Sequence, residues 1–99
     1  MQGAYIERVT VDSLINAGPC VLYAVTATMI VAGHTIDIYD GQDKYSGKIV
    51  QRLTGLANAP ITVTYGTGVY LATGLYIDVG TDGDYVTVTW STVPEDFVR

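Results

Sequence analysis

Apolar residues recur at every second position in several short segments of the chain. Val86, Val88 and Trp90 alternate with tyrosine and threonine, and the same spacing recurs over residues 75–79 and 61–65. Successive side chains of a β-strand point to opposite faces, so this spacing gathers the apolar set on one side. The pattern predicts strands with one buried face, and it places Trp90 in the core.

A turn signal joins two of these segments. Between residues 75–79 and 85–90 lies the sequence Gly80-Thr81-Asp82-Gly83-Asp84. Asp-Gly pairs are favoured in tight hairpin turns. We therefore predict a β-hairpin from Leu75 to Trp90.

Further strands are expected between the remaining turn signals, at residues 5–11, 21–29, 35–39, 48–53 and 69–71. The second of these is apolar on both faces, with Val21, Tyr23, Val25 and Ala27 pointing one way, as in a strand at mid-sheet or under an interface. Two further expectations accompany them. Ile49 and Leu53 should point inward, and residues 12–17 could form one helical turn.

Length and composition agree with an all-β fold. Ninety-nine residues is close to the commonest domain size, so we expect a single domain over residues 1–99, with short arms at 1–4 and 94–99. Only 15% of the residues are charged, and valine, isoleucine and threonine make up about a third of the chain. About eight short strands of this kind are typical of an antiparallel β-sandwich or a small barrel.

The charge balance and the ends of the chain narrow the range of partners. A net charge of −5 disfavours binding to nucleic acid. The N-terminus lacks the features of a signal peptide, and the apolar stretch 20–32 is shorter than the roughly 20 residues of a membrane helix. We expect neither nucleic acid nor membrane as a partner. Cys20 has no second cysteine to bond and is predicted to be a buried free thiol.

The chain offers little for enzyme chemistry or for cofactors. A nucleophile needs a nearby base, and the single histidine, His34, is predicted to lie in an exposed loop. Carboxylates cluster over residues 78–84, but the spacing of an EF-hand is not met and turn formation explains the aspartates there. We predict that the chain is not an enzyme and binds no metal or cofactor.

Two groups of residues are candidates for partner binding. Lys44, Lys48 and Arg52 are spaced by four, so on a continuous strand they would share a face. That stripe would either discourage edge aggregation or pair with an acidic surface. The second group consists of the tyrosines predicted to point outward, Tyr39, Tyr76 and Tyr85, and of Phe97 in the C-terminal arm. Outward tyrosines favour a protein interface, with carbohydrate binding as the alternative.

Several motifs carry a family resemblance from about residue 18 to residue 90. They are Gly18-Pro19-Cys20-Val21-Leu22-Tyr23-Ala24-Val25, Ile36-Asp37-Ile38-Tyr39-Asp40-Gly41 leading to Ser46-Gly47, Thr73-Gly74-Leu75-Tyr76, and Val86-Thr87-Val88-Thr89-Trp90. In these motifs the chain resembles small β-sandwich structural proteins of tailed bacteriophages, particularly capsid decoration (cement) and head-spike proteins. The motifs are structural and carry no catalytic signature.

The resemblance implies a jelly-roll-like sandwich that self-associates, often as a trimer, and binds the major capsid protein on the outer surface of the head. It implies a protein made in the host cytoplasm and carried on the virion, where it stabilises neighbouring capsomers. A carbohydrate-binding adhesion module and a minor tail or neck component are the alternatives.

Overall fold

The computed structural model describes residues 4–79 and 84–94, which form eight strands and, within those ranges, no helix. The strands form two four-stranded antiparallel sheets. Their bounds are β1 Tyr5–Val9, β2 Ser13–Ala17, β3 Cys20–Thr28, β4 Thr35–Asp40, β5 Lys48–Thr54, β6 Ile61–Leu71, β7 Gly74–Asp78 and β8 Tyr85–Ser91.

The strand order is that of a jelly roll. The first sheet has the order β1-β8-β3-β6 and the second β2-β7-β4-β5. Strands pair as β1 with β8, β2 with β7, β3 with β6 and β4 with β5, so the chain is folded back on itself along its whole length. The all-β antiparallel sandwich, the jelly-roll-like arrangement and the number of strands predicted from the sequence are confirmed.

The core lies between the two sheets and is built from the residues that alternate inward. Leu22, Val25, Val86 and Val88 come from the first sheet, and Ile38 comes from the second. All five side chains are fully buried. The two apolar faces cover each other, which is the usual solution for antiparallel sheets with one apolar side.

Trp90 lies in this core, as predicted from its phase. It is 7% exposed, and the ring of Tyr5 covers it with centroids 4.9 Å apart. Cys20 is also buried, as predicted, and burial raises the pKa of its thiol to about 11. Both residues therefore have structural roles in the sandwich.

The predicted hairpin from Leu75 to Trp90 is wrong. β7 pairs with β2 and β4 in the second sheet, whereas β8 pairs with β1 and β3 in the first. The connection between them therefore crosses from one sheet to the other. Alternation correctly gave the buried face of each strand, but it contains no information about which strand lies beside it.

Two other local predictions are also corrected. Residues 12–17 form no helical turn, since Ser13–Ala17 is a strand that pairs with β7. The two strands expected at 61–65 and 69–71 are one strand, β6, which continues through a bulge.

A bulge in β3 changes the facing of that strand. Leu22 pairs with Trp90 of β8 and Ala24 pairs with Thr89, so Tyr23 is an extra residue and the phase of β3 shifts across it. Val21 consequently lies on the opposite face from Val25, although alternation alone put them together. Gly68 has φ +109°, and a Cβ there would overlap the side chain of Val21.

The N-terminal and C-terminal arms expected at 1–4 and 94–99 lie almost entirely outside the described residues. Ala4 and Pro94 are described, but Phe97 is not. The predicted role of Phe97 stays a prediction.

Substituting alanine at two glycines of the β6 bulge should separate backbone strain from overpacking. Gly66 has φ +59° and open space where a Cβ would lie, so Gly66→Ala should cost about 1 kcal/mol for the left-handed backbone. Gly68→Ala should cost about 1–3 kcal/mol more because its methyl overlaps Val21. Urea denaturation measures both, and equal losses would contradict the close packing described for Gly68.

Candidate functional site

A row of exposed apolar and aromatic side chains crosses the outward face of the second sheet. In register across the four strands lie Leu14, Tyr76, Tyr39 and Ile49. Leu14 is 44% exposed and Ile49 is 49% exposed. The two tyrosine rings between them meet edge to face, with centroids 6.3 Å apart. A row of charged residues lies beside them: Asp12, Asp37, Lys44, Arg52 and Asp78. We call the four residues and this charged row the tyrosine face.

The charged row includes a well-formed ion pair. Asp37 lies directly opposite Arg52 on β5 and Asp78 on β7. Arg52 donates from Nε to Asp37 Oδ1 at 2.8 Å and from Nη2 to Asp37 Oδ2 at 3.1 Å. The hydrogen bond and charge of Asp37 raise the pKa of Arg52. This bidentate geometry fixes the guanidinium beside the tyrosines.

At the other end of the charged row, two carboxylates share one lysine. Asp12 accepts a hydrogen bond from the Val79 backbone N–H at 2.9 Å, and Lys44 Nζ lies 3.9 Å from Asp12 Oδ2. Partial burial and the proximity of Asp12 raise the pKa of Asp78. The charge of Asp78, followed by other nearby groups including Asp12, raises the pKa of Lys44. The negative charge here is only partly compensated.

The predicted basic stripe is only partly assembled. Lys44 lies in the β4–β5 loop and not on a strand. In β5 the register shifts so that Ile38 opposes Gln51 but Tyr39 opposes Ile49, which leaves Val50 as the extra residue. Ile49 therefore points outward with Tyr39, contrary to its predicted inward position, whereas Leu53 is buried as predicted.

The same bulge separates two of the predicted basic residues. Lys48 opposes Asp40, the residue after Tyr39, and so belongs to the other face of the sheet from Arg52. A spacing of four puts two residues on one face only when the strand between them is regular. The bulge is not visible as a glycine or proline in residues 48–54, so sequence reasoning missed it.

The remaining predicted contact residue lies on the other sheet. Tyr85 is in β8, where Arg8 lies over its ring at 4.2 Å from the centroid. The structure thus brings Tyr39, Tyr76, Lys44 and Arg52 together and places Tyr85 elsewhere.

Three members of the tyrosine face were not identified from the sequence as binding candidates. They are Leu14, Ile49 and Asp12. Leu14 was hidden by the expectation of a helical turn, and Ile49 by the bulge. Their exposure could be recognised only once β2 and β5 were placed at the two edges of the sheet.

His34 is better connected than the sequence suggested. It was expected to be exposed, but its side chain is 25% exposed and its Nδ1 lies 2.9 Å from Asp84 Oδ2. Asp84 is fully buried and also accepts a hydrogen bond from the Ile30 backbone N–H at 2.7 Å. These contacts join the β3–β4 loop to the start of β8. Asp84 is therefore a structural anchor and not simply a turn residue.

Cys20 and His34, the two groups considered for an enzyme dyad, lie apart in the fold. Cys20 begins β3, whereas His34 follows the far end of that strand, so the two do not form a pair. Residues 80–83 of the carboxylate-rich segment lie outside the described residues. Among residues 4–79 and 84–94, no three histidine, cysteine, aspartate or glutamate side chains are grouped as metal ligands.

Comparison with known proteins gave no relatives. No protein-family model matches the chain, and neither a curated protein nor a solved structure does so. The part of the chain that the structure describes contains no helix long and apolar enough to cross a membrane.

The uneven charge on the tyrosine face has a measurable consequence for stability. Because the folded-state pKa of Asp78 is raised, its ionised form opposes folding above the pKa of the unfolded chain. Asp78→Asn should therefore raise the melting temperature at pH 7. The gain should vanish near pH 3, where the carboxyl is protonated in both states.

Asp40→Asn is a control variant for which we expect the opposite change in melting temperature. Burial opposes the charge of Asp40, but hydrogen bonds from Thr73 and Ala72 outweigh it and lower its pKa. The favourable contribution of Asp40 is present above the unfolded-state pKa and is lost as the pH falls through the folded-state pKa. Asp40→Asn should lower the melting temperature at pH 7. Equal signs for the two variants in thermal melts would contradict this electrostatic account.

Proposed function

We propose that this chain is a non-enzymatic structural protein of a virion, which docks the tyrosine face on another protein surface. The observation that carries the proposal is the row of Leu14, Tyr76, Tyr39 and Ile49, exposed on the outward side of a sheet. The outward side of an antiparallel sheet is ordinarily polar and solvated. Two tyrosines flanked by exposed aliphatic side chains favour a contact surface.

The charged row supplies specificity to such a contact. Arg52 is held by Asp37 in a fixed orientation beside Tyr39, and arginine and tyrosine are enriched among the residues that dominate binding energy. Asp78 and Asp12 leave negative charge at the β2 side of the face. A partner with an apolar centre and a basic rim would complement this arrangement.

The outer surface of a phage head is the partner that we favour. Support comes from the sequence resemblance to capsid decoration proteins and from the jelly roll, an architecture used by viral capsid domains and also by lectins and cupins. An acidic chain suits the outside of a head, since an interior copy would face packed DNA. Contacts made only in the assembled shell would stabilise it by mass action, and many copies would multiply the effect.

Glycan binding is the second candidate, and the position of the carboxylates favours it. Asp37 and Asp78 lie in the row beside Tyr39 and Tyr76, so aromatic rings and hydrogen-bonding groups share one face. The edge-to-face packing of the rings leaves no continuous flat platform for a sugar. A change of tyrosine fluorescence on titration with oligosaccharides, abolished by Tyr76→Ala, would favour this candidate over protein docking.

The class of function can be tested from the position of the gene and by sedimentation. The proposal predicts a viral or prophage genome with a major capsid gene nearby, and co-sedimentation of the purified protein with empty heads of that virus. A gene remote from any virion genes, together with no binding to heads, would contradict it.

A pair of lysine substitutions tests which surface docks. Ile49→Lys places a charge in the apolar row and should weaken binding to empty heads at least tenfold, because a buried unpaired charge is costly. Leu56→Lys is the matched control, since Leu56 is 72% exposed but lies beyond β5 in the β5–β6 loop. Binding should be unchanged in Leu56→Lys. Equal affinities for the two variants would exclude the tyrosine face as the docking surface.

A further inference from the structure

The outward face of the first sheet has a different chemistry. Five partly or fully exposed threonines lie on it, at positions fixed by the register of β3, β6 and β8: Thr26, Thr62, Thr64, Thr87 and Thr89. Thr26 lies between Thr62 and Thr87 in a row of three hydroxyls, and Ala24 lies between Thr64 and Thr89 in the neighbouring row. We call this surface the hydroxyl face.

The hydroxyl face is almost free of charge. Among the described residues its strands present no carboxylate outward, although the chain carries a net charge of −5. Arg8, at the β1 edge, is its cation and lies against the Tyr85 ring. The carboxylates of Asp12, Asp37 and Asp78 belong to the opposite side of the sandwich. Two copies can therefore approach through this face without repulsion between their acidic groups.

Hydroxyl groups also make this face complementary to itself. Each threonine hydroxyl can both donate and accept a hydrogen bond, so it needs no group of a different type as its partner. The face already shows such pairing within one chain, where Thr26 Oγ1 lies 3.0 Å from Thr62 Oγ1. A second copy offers the same groups at the same strand spacing.

The broad side of the sandwich that carries the hydroxyl face sets the upper limit for such a contact. Its Cα extents of 40 × 26 Å enclose about 1,000 Å². Each partner in a standard interface contributes about 800 Å². Short β-branched side chains keep the surface level, and threonine has little rotamer freedom to lose.

We propose that the hydroxyl face of one copy packs on the hydroxyl face of a second copy, which gives a two-fold dimer. A contact between identical patches closes by two-fold symmetry, so it yields dimers and not the trimers that the family resemblance implies. Both tyrosine faces then point away from the dimer on opposite sides. A dimer with two docking faces can bridge two surfaces. This bridging role rests on the proposed function of the tyrosine face, whereas the dimer itself does not.

The mass of the isolated protein in solution tests the dimer. Sedimentation velocity over a range of concentrations should give twice the 10.6 kDa chain mass at high concentration. Thr64→Glu with Thr89→Glu places four carboxylates in each dimer contact and should weaken association at least a hundredfold. Gln42→Glu with Thr54→Glu, two exposed positions in the β4–β5 loop and on β5 of the second sheet, adds the same charge and should leave association unchanged.

Mixing variants keeps the test independent of folding defects. Thr64→Lys with Thr89→Lys should also be monomeric alone, but mixed with the glutamate variant it should form a heterodimer of restored mass. The native protein remaining monomeric at every concentration, or association unaffected by the substitutions on the hydroxyl face, would overturn the inference. No heads are used, so failure here is distinct from failure of the tyrosine face to bind them.

Discussion

The mutual burial of two apolar sheet faces is the constraint on which the rest of the structure depends. Each strand alternates, and the inward set from the first sheet packs on that from the second, with Leu22, Val88 and Ile38 fully buried. Among the described residues, neither a disulfide nor a group of metal ligands adds to the stability that this packing provides. Once the inward positions are committed to packing, the outward positions are free to carry different chemistry on the two sides.

The two outward faces differ in a way that packing does not require. One has the tyrosine pair, exposed Leu14 and Ile49, and oriented charges. The other has rows of threonine and no described outward carboxylate. A sandwich that served only to bury its own core could have similar solvated faces on both sides. This difference is the reason why we propose docking on a partner for the tyrosine face and self-association for the hydroxyl face.

The alternation of apolar residues predicted which side chains are buried far better than it predicted which strands pair. Trp90, Val86 and Val88 were placed correctly because one strand determines its own phase. The Leu75 to Trp90 hairpin failed because pairing is decided by long-range packing. Lys48 and Ile49 were assigned to the wrong faces because a bulge in β5 reverses the phase of the strand. The anchoring role of Asp84 was missed because its partners, Ile30 and His34, are remote in sequence. The members of the tyrosine face on regular β4 and β7 could thus be predicted, as could Lys44 and Arg52, whereas Leu14, Ile49 and Asp12 could not.

Hydroxyl-radical footprinting of the tyrosines can distinguish the two proposed roles, docking through the tyrosine face and self-association through the hydroxyl face. Oxidation would be measured in dilute protein, in concentrated protein, and in dilute protein bound to empty heads. We expect protection of Tyr85 on concentration alone, and protection of Tyr39 and Tyr76 only on the heads. Protection of all three together, or of none under either condition, would contradict this expectation.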